Sequence, residues 1–270
     1  MDLQLAGKKA LVTGSYRGTG RMIALALAAE GAHVGVHGFE REAAEAVARE
    51  IHEQGGAAVA LEGDILTDDG AKQLLRETQD ALGDAIIIDI LVNNYGTADA
   101  GSWMKSETPD WIDAYQKNVL SAVRITRGLM EGMKAKGWGR IINLGTIGST
   151  EPAARMPHYY AAKGAMATMT ISLAKELEST GVTVNLVSPG LIRTKEVEER
   201  FIARGKKKGW GETWEEVEPH VLKEFMGNLT GHVPRPEEIA DVVVFVASPR
   251  AGAINALNIR VDGGTTALVT

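Results

Sequence analysis

The chain contains no cysteine, which excludes disulfides, thiolate catalysis and cysteine-ligated zinc in one step. Aromatic residues make up only 5% of its 270 residues. No stretch of about 18 uncharged apolar residues occurs, so no membrane span is expected. Positive charge is not in excess. Lys and Arg number 29 against 35 Asp and Glu, a net charge of −6, which argues against nucleic acid or another polyanion as partner. The opening "MDLQLAGKKALVTG" lacks a basic start followed by a long apolar run, so no secretory signal is expected and a cytoplasmic location is. No metal is expected either. What the chain does have is glycine, 31 residues of it, abundant alanine, and 44% hydrophobic residues, enough for a sizeable core.

Short apolar runs alternate with helical patterns along the whole length. "KALVTG", "AHVGVHG", "AAVALEGD", "IDILVNN", "GRIINLG", "VTVNLVSPG" and "ALNIRVDGG" read as seven strands. Between them, segments such as "RMIALALAAEG", "EREAAEAVAREIHEQG" and "DDGAKQLLRETQDALG" carry apolar residues at helical spacing. Strands apolar on both faces suit a buried parallel sheet. The alternation predicts an α/β fold, a doubly wound Rossmann-type sheet of seven mainly parallel strands with helices on both faces, in a single domain over residues 1–270. The rhythm breaks once, from about Thr194 to Pro236. That charged stretch, with Trp210, Trp214 and Phe225, predicts a helical lid over the carboxyl edge of the sheet.

Two motifs carry chemistry. "TGSYRGTG", Thr13 to Gly20, follows the first strand, with Gly14, Gly18 and Gly20 spaced to admit a pyrophosphate close to backbone at a helix N-terminus. Ser15, Arg17 and Thr19 lie between those glycines and are candidate cofactor contacts. The second motif is "PHYYAAKGA". Tyr159 and Lys163 stand four apart, so both side chains share a helix face. A phenol titrates near about 10, and a nearby ammonium lowers that value, which lets the phenol act as proton donor to a carbonyl oxygen. Tyr160 is turned about 100° away, and packing or a substrate wall is its expected role.

On these motifs, and on their order from "KKALVTGSYRGTG" to "RVDGG", the sequence resembles the short-chain dehydrogenase/reductase family, in a 3-oxoacyl reductase-like form. The resemblance implies that Gly14, Gly18 and Gly20 meet the dinucleotide phosphates and adenosine ribose, and that Asp64, with Ile65 beside it, meets the adenine amino group. It matches Asn93 to Gly96, "NNYG", to a run after strand four, so Asn93 and Gly96 are candidate cofactor residues. It matches "SPGLIRT", with Pro189, Gly190, Ile192 and Thr194, to the loop at the nicotinamide carboxamide. It gives Lys163 the nicotinamide ribose hydroxyls as well. A substrate-orienting hydroxyl is implied 13 residues before the tyrosine, where Thr146 stands, with Ser149 as the next candidate. Asn118 matches an asparagine whose backbone helps hold a water linked to the lysine. A homotetramer is implied, with the helices near Pro109 and Tyr159 pairing across a two-fold axis and "RVDGG" at another interface.

The expected activity interconverts a ketone or aldehyde and an alcohol by hydride transfer, with Tyr159, Lys163, Thr146 and Asn118 as the catalytic set. A non-catalytic dinucleotide sensor is the alternative; enoyl reduction ranks below both, because the tyrosine it needs seven residues before the lysine is replaced by Met156. NADP(H) is expected over NAD(H). Strand two, "VGVHGFER", ends without the carboxylate that would repel a 2′-phosphate, while Arg17 and His37, with Arg41 as a further base, offer positive charge. The Trp, Phe and Met content of the lid suggests an apolar substrate. Tyr95, in place of a small residue, and Phe39 depart from the family pattern.

Overall fold

The structure is a computed structural model that describes residues 1–82 and 88–266. Among the described residues the seven strands are β1 (Lys9–Val12), β2 (His33–Gly38), β3 (Ala57–Glu62), β4 (Ile90–Asn93), β5 (Gly139–Leu144), β6 (Val182–Pro189) and β7 (Asn258–Val261). They form one sheet in the order β3-β2-β1-β4-β5-β6-β7, and every pairing is parallel, so the sheet expected to be mainly parallel is wholly so. Alternation along each strand explains why both faces must be covered. Ala10 and Val12 of β1 join one apolar cluster and Leu11 the other; Ile90 and Val92 of β4 divide from Leu91 in the same way.

The first face is covered by α1 (Gly18–Ala29), α2 (Arg41–Glu53) and α9 (Pro236–Ala247), through Ile23, Leu27, Val47, Ile51, Ile239 and Val243. The second is covered by α3 (Asp68–Leu82), α5 (Ser121–Lys136) and α6 (Pro157–Glu176), through Leu74, Ile125, Leu129 and Ala174. Gly83, the last residue of the segment "DDGAKQLLRETQDALG", lies outside the described residues. A short helix α4 (Thr108–Tyr115) runs into a π-turn over Gln116–Leu120 before α5 begins.

Strand order reverses between β1 and β4, which opens a crevice at their carboxyl ends. The predicted excursion there consists of α7 (Lys195–Lys208) and α8 (Trp214–Glu224). Thr194 and Thr213 cap them by accepting from the Val197 and Glu216 amides. Phe201, Trp214, Val217, Val221 and Val233 give this pair a small core of its own. No helix among the described residues is long and apolar enough to cross a membrane.

Candidate active site

A groove of about 680 Å³ runs along the carboxyl edge of the sheet. Its middle is the glycine-rich turn. Gly14 and Gly18 have φ of +62° and +54°, a region that L side chains avoid. Gly20 serves packing: a Cβ there would stand 2.6 Å from the Gly14 carbonyl and strike the Asn94 side chain. Arg17 precedes α1 in extended conformation without capping it by its side chain, and Gly18, Thr19 and Gly20 bring the unpaired first-turn amides to the groove wall.

Several expected contacts belong to the interior instead. His37 is fully buried. Its Nδ1 accepts from the Gly14 amide at 3.0 Å and its Nε2 meets the Gly63 carbonyl at 2.9 Å, so the ring ties β2 to the turn and to the end of β3. Burial lowers its pKa, and an acceptor Nδ1 keeps it neutral, so it brings no charge to a phosphate. Ser15 is equally buried; its hydroxyl donates to the Val12 carbonyl at 2.7 Å and accepts from the His37 amide at 2.9 Å. Asn93 points into the sheet's second face, where Nδ2 donates to Asn143 Oδ1 at 2.9 Å and Thr126 Oγ1 at 3.0 Å. Ile65 is a core residue. Gly190 faces Asp262 and Met226.

The groove residues are their neighbours. Asn94 donates through Nδ2 to the Thr13 and Gly14 carbonyls at 2.9 and 3.1 Å, locking the turn to β4. Leu66 lines the wall that Ile65 was expected to line. Asp64 is exposed at the end of β3, with Oδ1 accepting from the Leu66 amide at 3.0 Å. Tyr16, Phe39, Tyr95 and Thr97 also line the groove, as do Pro189, Ile192 and Thr194. The Tyr95 ring packs on Phe39, centroids 4.8 Å apart, over the Gly14 backbone. Arg17 lines the groove too, and it faces the Glu196 carboxylate. Arg41 is ion-paired to Glu77 and, at 3.4 Å, to Glu62. Trp210, Trp214 and Phe225, the aromatics behind the expectation of an apolar substrate, pack together in the small core of α7 and α8.

At the β5–β6 end, α6 delivers Tyr159 and Lys163 to the groove wall. Lys163 is buried, and its Nζ donates to the Leu144 carbonyl at 2.7 Å. Desolvation brings its pKa down to about 8. Burial pushes the Tyr159 phenol up to about 12, the Tyr160 phenol adds to that, and a hydrogen bond with the Thr146 hydroxyl opposes both. Spacing alone suggests that Lys163 lowers the phenol's pKa; burial is the larger effect on Tyr159. Ser149 turns away, its hydroxyl donating to the Thr146 carbonyl at 2.8 Å. Tyr160 packs beside Tyr159, ring centroids 5.4 Å apart, and against Gly148.

Asn118 is buried within the π-turn, a local widening that frees backbone groups from the helical ladder. Its Nδ2 donates to the Thr97 and Ala114 carbonyls, each at 3.0 Å, and its Oδ1 has no partner. A Cβ on Gly96 would stand 2.5 Å from that Oδ1 and 3.1 Å from Lys163 Nζ. Only glycine fits between them. The cradle of left-handed glycines, the free helix N-terminus and an orphaned polar atom beside a buried ammonium all fit a dinucleotide laid across the sheet edge.

Residues 8–204 match the family described as short chain dehydrogenase. This chain belongs to the short-chain dehydrogenase family. An uncharacterized oxidoreductase of Bacillus subtilis, YvaG, is 35% identical over 267 residues, covering 98% of each chain. The 3-oxoacyl-[acyl-carrier-protein] reductase FabG of Haemophilus influenzae is 32% identical, covering 96% of this chain and 98% of its own. Among solved structures, L-sorbose reductase from Gluconobacter frateurii, complexed with NADPH and L-sorbose, superimposes with a TM-score of 0.91 at 31% identity over the full length of both chains. As a short-chain dehydrogenase the protein is an oxidoreductase of small carbonyl or alcohol substrates that uses a nicotinamide dinucleotide.

Proposed function

We propose that the protein reduces a ketone or aldehyde with NADPH, and that Tyr159 gives the carbonyl oxygen its proton. The observation that carries this reading is that α6 sets Tyr159 and the buried Lys163 together in one groove wall, with the Thr146 hydroxyl near the phenol. Burial pushes this phenol up to about 12, so it is protonated at neutral pH, as the donor in a carbonyl reduction has to be. Gly14, Gly18, Thr19 and Gly20 would hold one part of the dinucleotide and Lys163, Pro189, Ile192 and Thr194 another, and the bound dinucleotide would supply the hydride. Thr146 orients the substrate oxygen toward Tyr159. Lys163, still mostly an ammonium at pH 7, places positive charge where the oxygen gains negative charge. Asn118 Oδ1, lacking a protein partner next to that ammonium, supports a role in returning a proton from solvent.

NADPH is favoured over NADH because Phe39, not a carboxylate, lines the groove past β2, and because Arg17 lies on the same wall. The helices α7 and α8 serve as substrate lid on the one domain. We also propose a homotetramer. Ile112 and Tyr115 on α4, Ile171 on α6, Phe245 on α9 and Leu257 before β7 are exposed apolar side chains that association would cover. Light scattering at micromolar concentration is expected to give four times the monomer mass, and a stable monomer refutes it.

The deciding experiment follows NADPH oxidation at 340 nm with a panel of ketoses, hydroxyketones and 3-oxoacyl thioesters. At least one class is expected to turn over. NADPH binding without consumption across the panel would refute the reductase.

A further inference from the structure

We propose that His158 is a positioning residue for Tyr159, holding the first turn of α6 in place through the Tyr159 backbone. The inference rests on the proposed role of Tyr159. The start of α6 is poorly provided with caps. Met156 precedes it in left-handed conformation, φ 59°, and has no side-chain acceptor to offer; Pro157 has no N–H. The Tyr159 amide is one of the donors that a helix start leaves unpaired. Here it donates to His158 Nδ1 at 2.8 Å. An Nδ1 that accepts carries no proton, so the neutral ring has its hydrogen on Nε2.

The imidazole is itself packed between neighbouring elements. It is 3% exposed. Trp111 of α4 meets it edge-on, centroids 6.2 Å apart at 71°. Gly101 comes so close that a Cβ there would stand 2.8 Å from Nε2 and 2.5 Å from Ser106 Oγ. The loop carrying Gly101 is fastened to the residues just before α6: the Met156 amide donates to the Gly101 carbonyl at 3.0 Å, and Ser102 forms an antiparallel bridge with Arg155. His158 thus links the loop after β4, helix α4 and the residue that carries the reacting hydroxyl. A proton donor must be placed to a fraction of an ångström, and tying down the amide of its own residue in the first helical turn restricts its movement. No motif in the sequence marks this histidine.

Four variants test the assignment: His158→Leu, His158→Asn, Gly101→Ala and Tyr159→Phe. Each is measured for kcat, KM, NADPH affinity by fluorescence titration, and melting temperature. His158→Leu is expected to lose kcat on the order of tenfold or more while KM and NADPH affinity stay near parental. His158→Asn places an amide oxygen where Nδ1 stood and is expected to recover most of that loss. Gly101→Ala pushes on the imidazole while leaving His158 itself in the sequence, and is expected to lower kcat, which keeps the test alive should the leucine variant not fold. Parental kcat in the leucine or Gly101→Ala variant, or an asparagine variant as slow as the leucine one, overturns the proposal. A Tyr159→Phe enzyme with parental kcat overturns the role of Tyr159 itself, an outcome distinct from the other three.

Discussion

Lys163 directs its ammonium at the Leu144 carbonyl, 2.7 Å away, and so spans from α6 to the end of β5 in the wall that also carries Tyr159. A buried lysine held by one carbonyl and, at 3.5 Å, by the Met166 sulfur is a costly group. Its place beside the unpartnered Asn118 Oδ1, with Gly96 as the only residue small enough to lie between, makes that cost intelligible as part of a reaction centre.

Replacing Tyr159 with Phe removes the transferable proton and little else. Catalytic turnover is expected to fall by on the order of a hundredfold or more, with NADPH affinity nearly unchanged. Tyr160→Phe, which alters a ring packed on Gly148, is expected to retain most activity. Steady-state kinetics with fluorescence titration of NADPH checks both; exchanged phenotypes would reassign the donor.

Thr146→Ser keeps the oxygen that bonds Tyr159 and is expected to retain most turnover. Thr146→Ala is expected to lose most of it. Ser149, whose hydroxyl is turned back onto the Thr146 carbonyl, is not placed to substitute. A fully active alanine variant would remove Thr146 from the mechanism.

The reduction rate should depend on pH through Lys163. Its pKa is lowered from 10.5 to about 8 by burial, so the ammonium is present below about 8 and lost above it. The kcat/KM for reduction is expected to fall as pH rises through about 8, along a limb that reports the free enzyme. Stability has the opposite sign. Between about 8 and 10.5 the unfolded chain binds the proton that the folded chain has released, so this lysine's contribution to stability rises with pH across that window. The difference in melting temperature between the parent and Lys163→Met, followed from pH 7 to 10, isolates that contribution. It should favour the methionine variant most at pH 7, and a flat difference would refute the shift.

Cofactor choice should follow the groove wall past β2. The parent is expected to show higher kcat/KM with NADPH than with NADH, and Arg17→Ala to narrow the ratio about tenfold, as for the loss of one charge-assisted phosphate contact. An NADH preference in the parent refutes the assignment. An unchanged ratio in the variant assigns the discrimination elsewhere, with Arg41 disfavoured because Glu62 and Glu77 already hold it.

The alternation of apolar runs and helical patterns was enough to specify the seven strands and the two covered faces, because strands buried on both faces read as short continuous apolar runs set between segments of helical spacing. The spacing of Tyr159 and Lys163, and of Gly14, Gly18 and Gly20, was legible for the same reason: helical and turn geometry convert a count of residues into a shared face. What only the tertiary structure decided was the side to which each residue points where a strand runs out into its loop. Asn93 enters the core and Asn94 the groove; Ile65 is buried and Leu66 exposed to the groove; His37 turns inward to join Gly14 and Gly63 while Phe39 lines the wall. At a strand's end one residue's displacement exchanges the two faces, and which of two neighbours is buried depends on the hydrogen-bond partners waiting on each side. Those partners, Asn143, Thr126 and the Gly63 carbonyl, come from other elements far along the chain, so no local pattern reveals them.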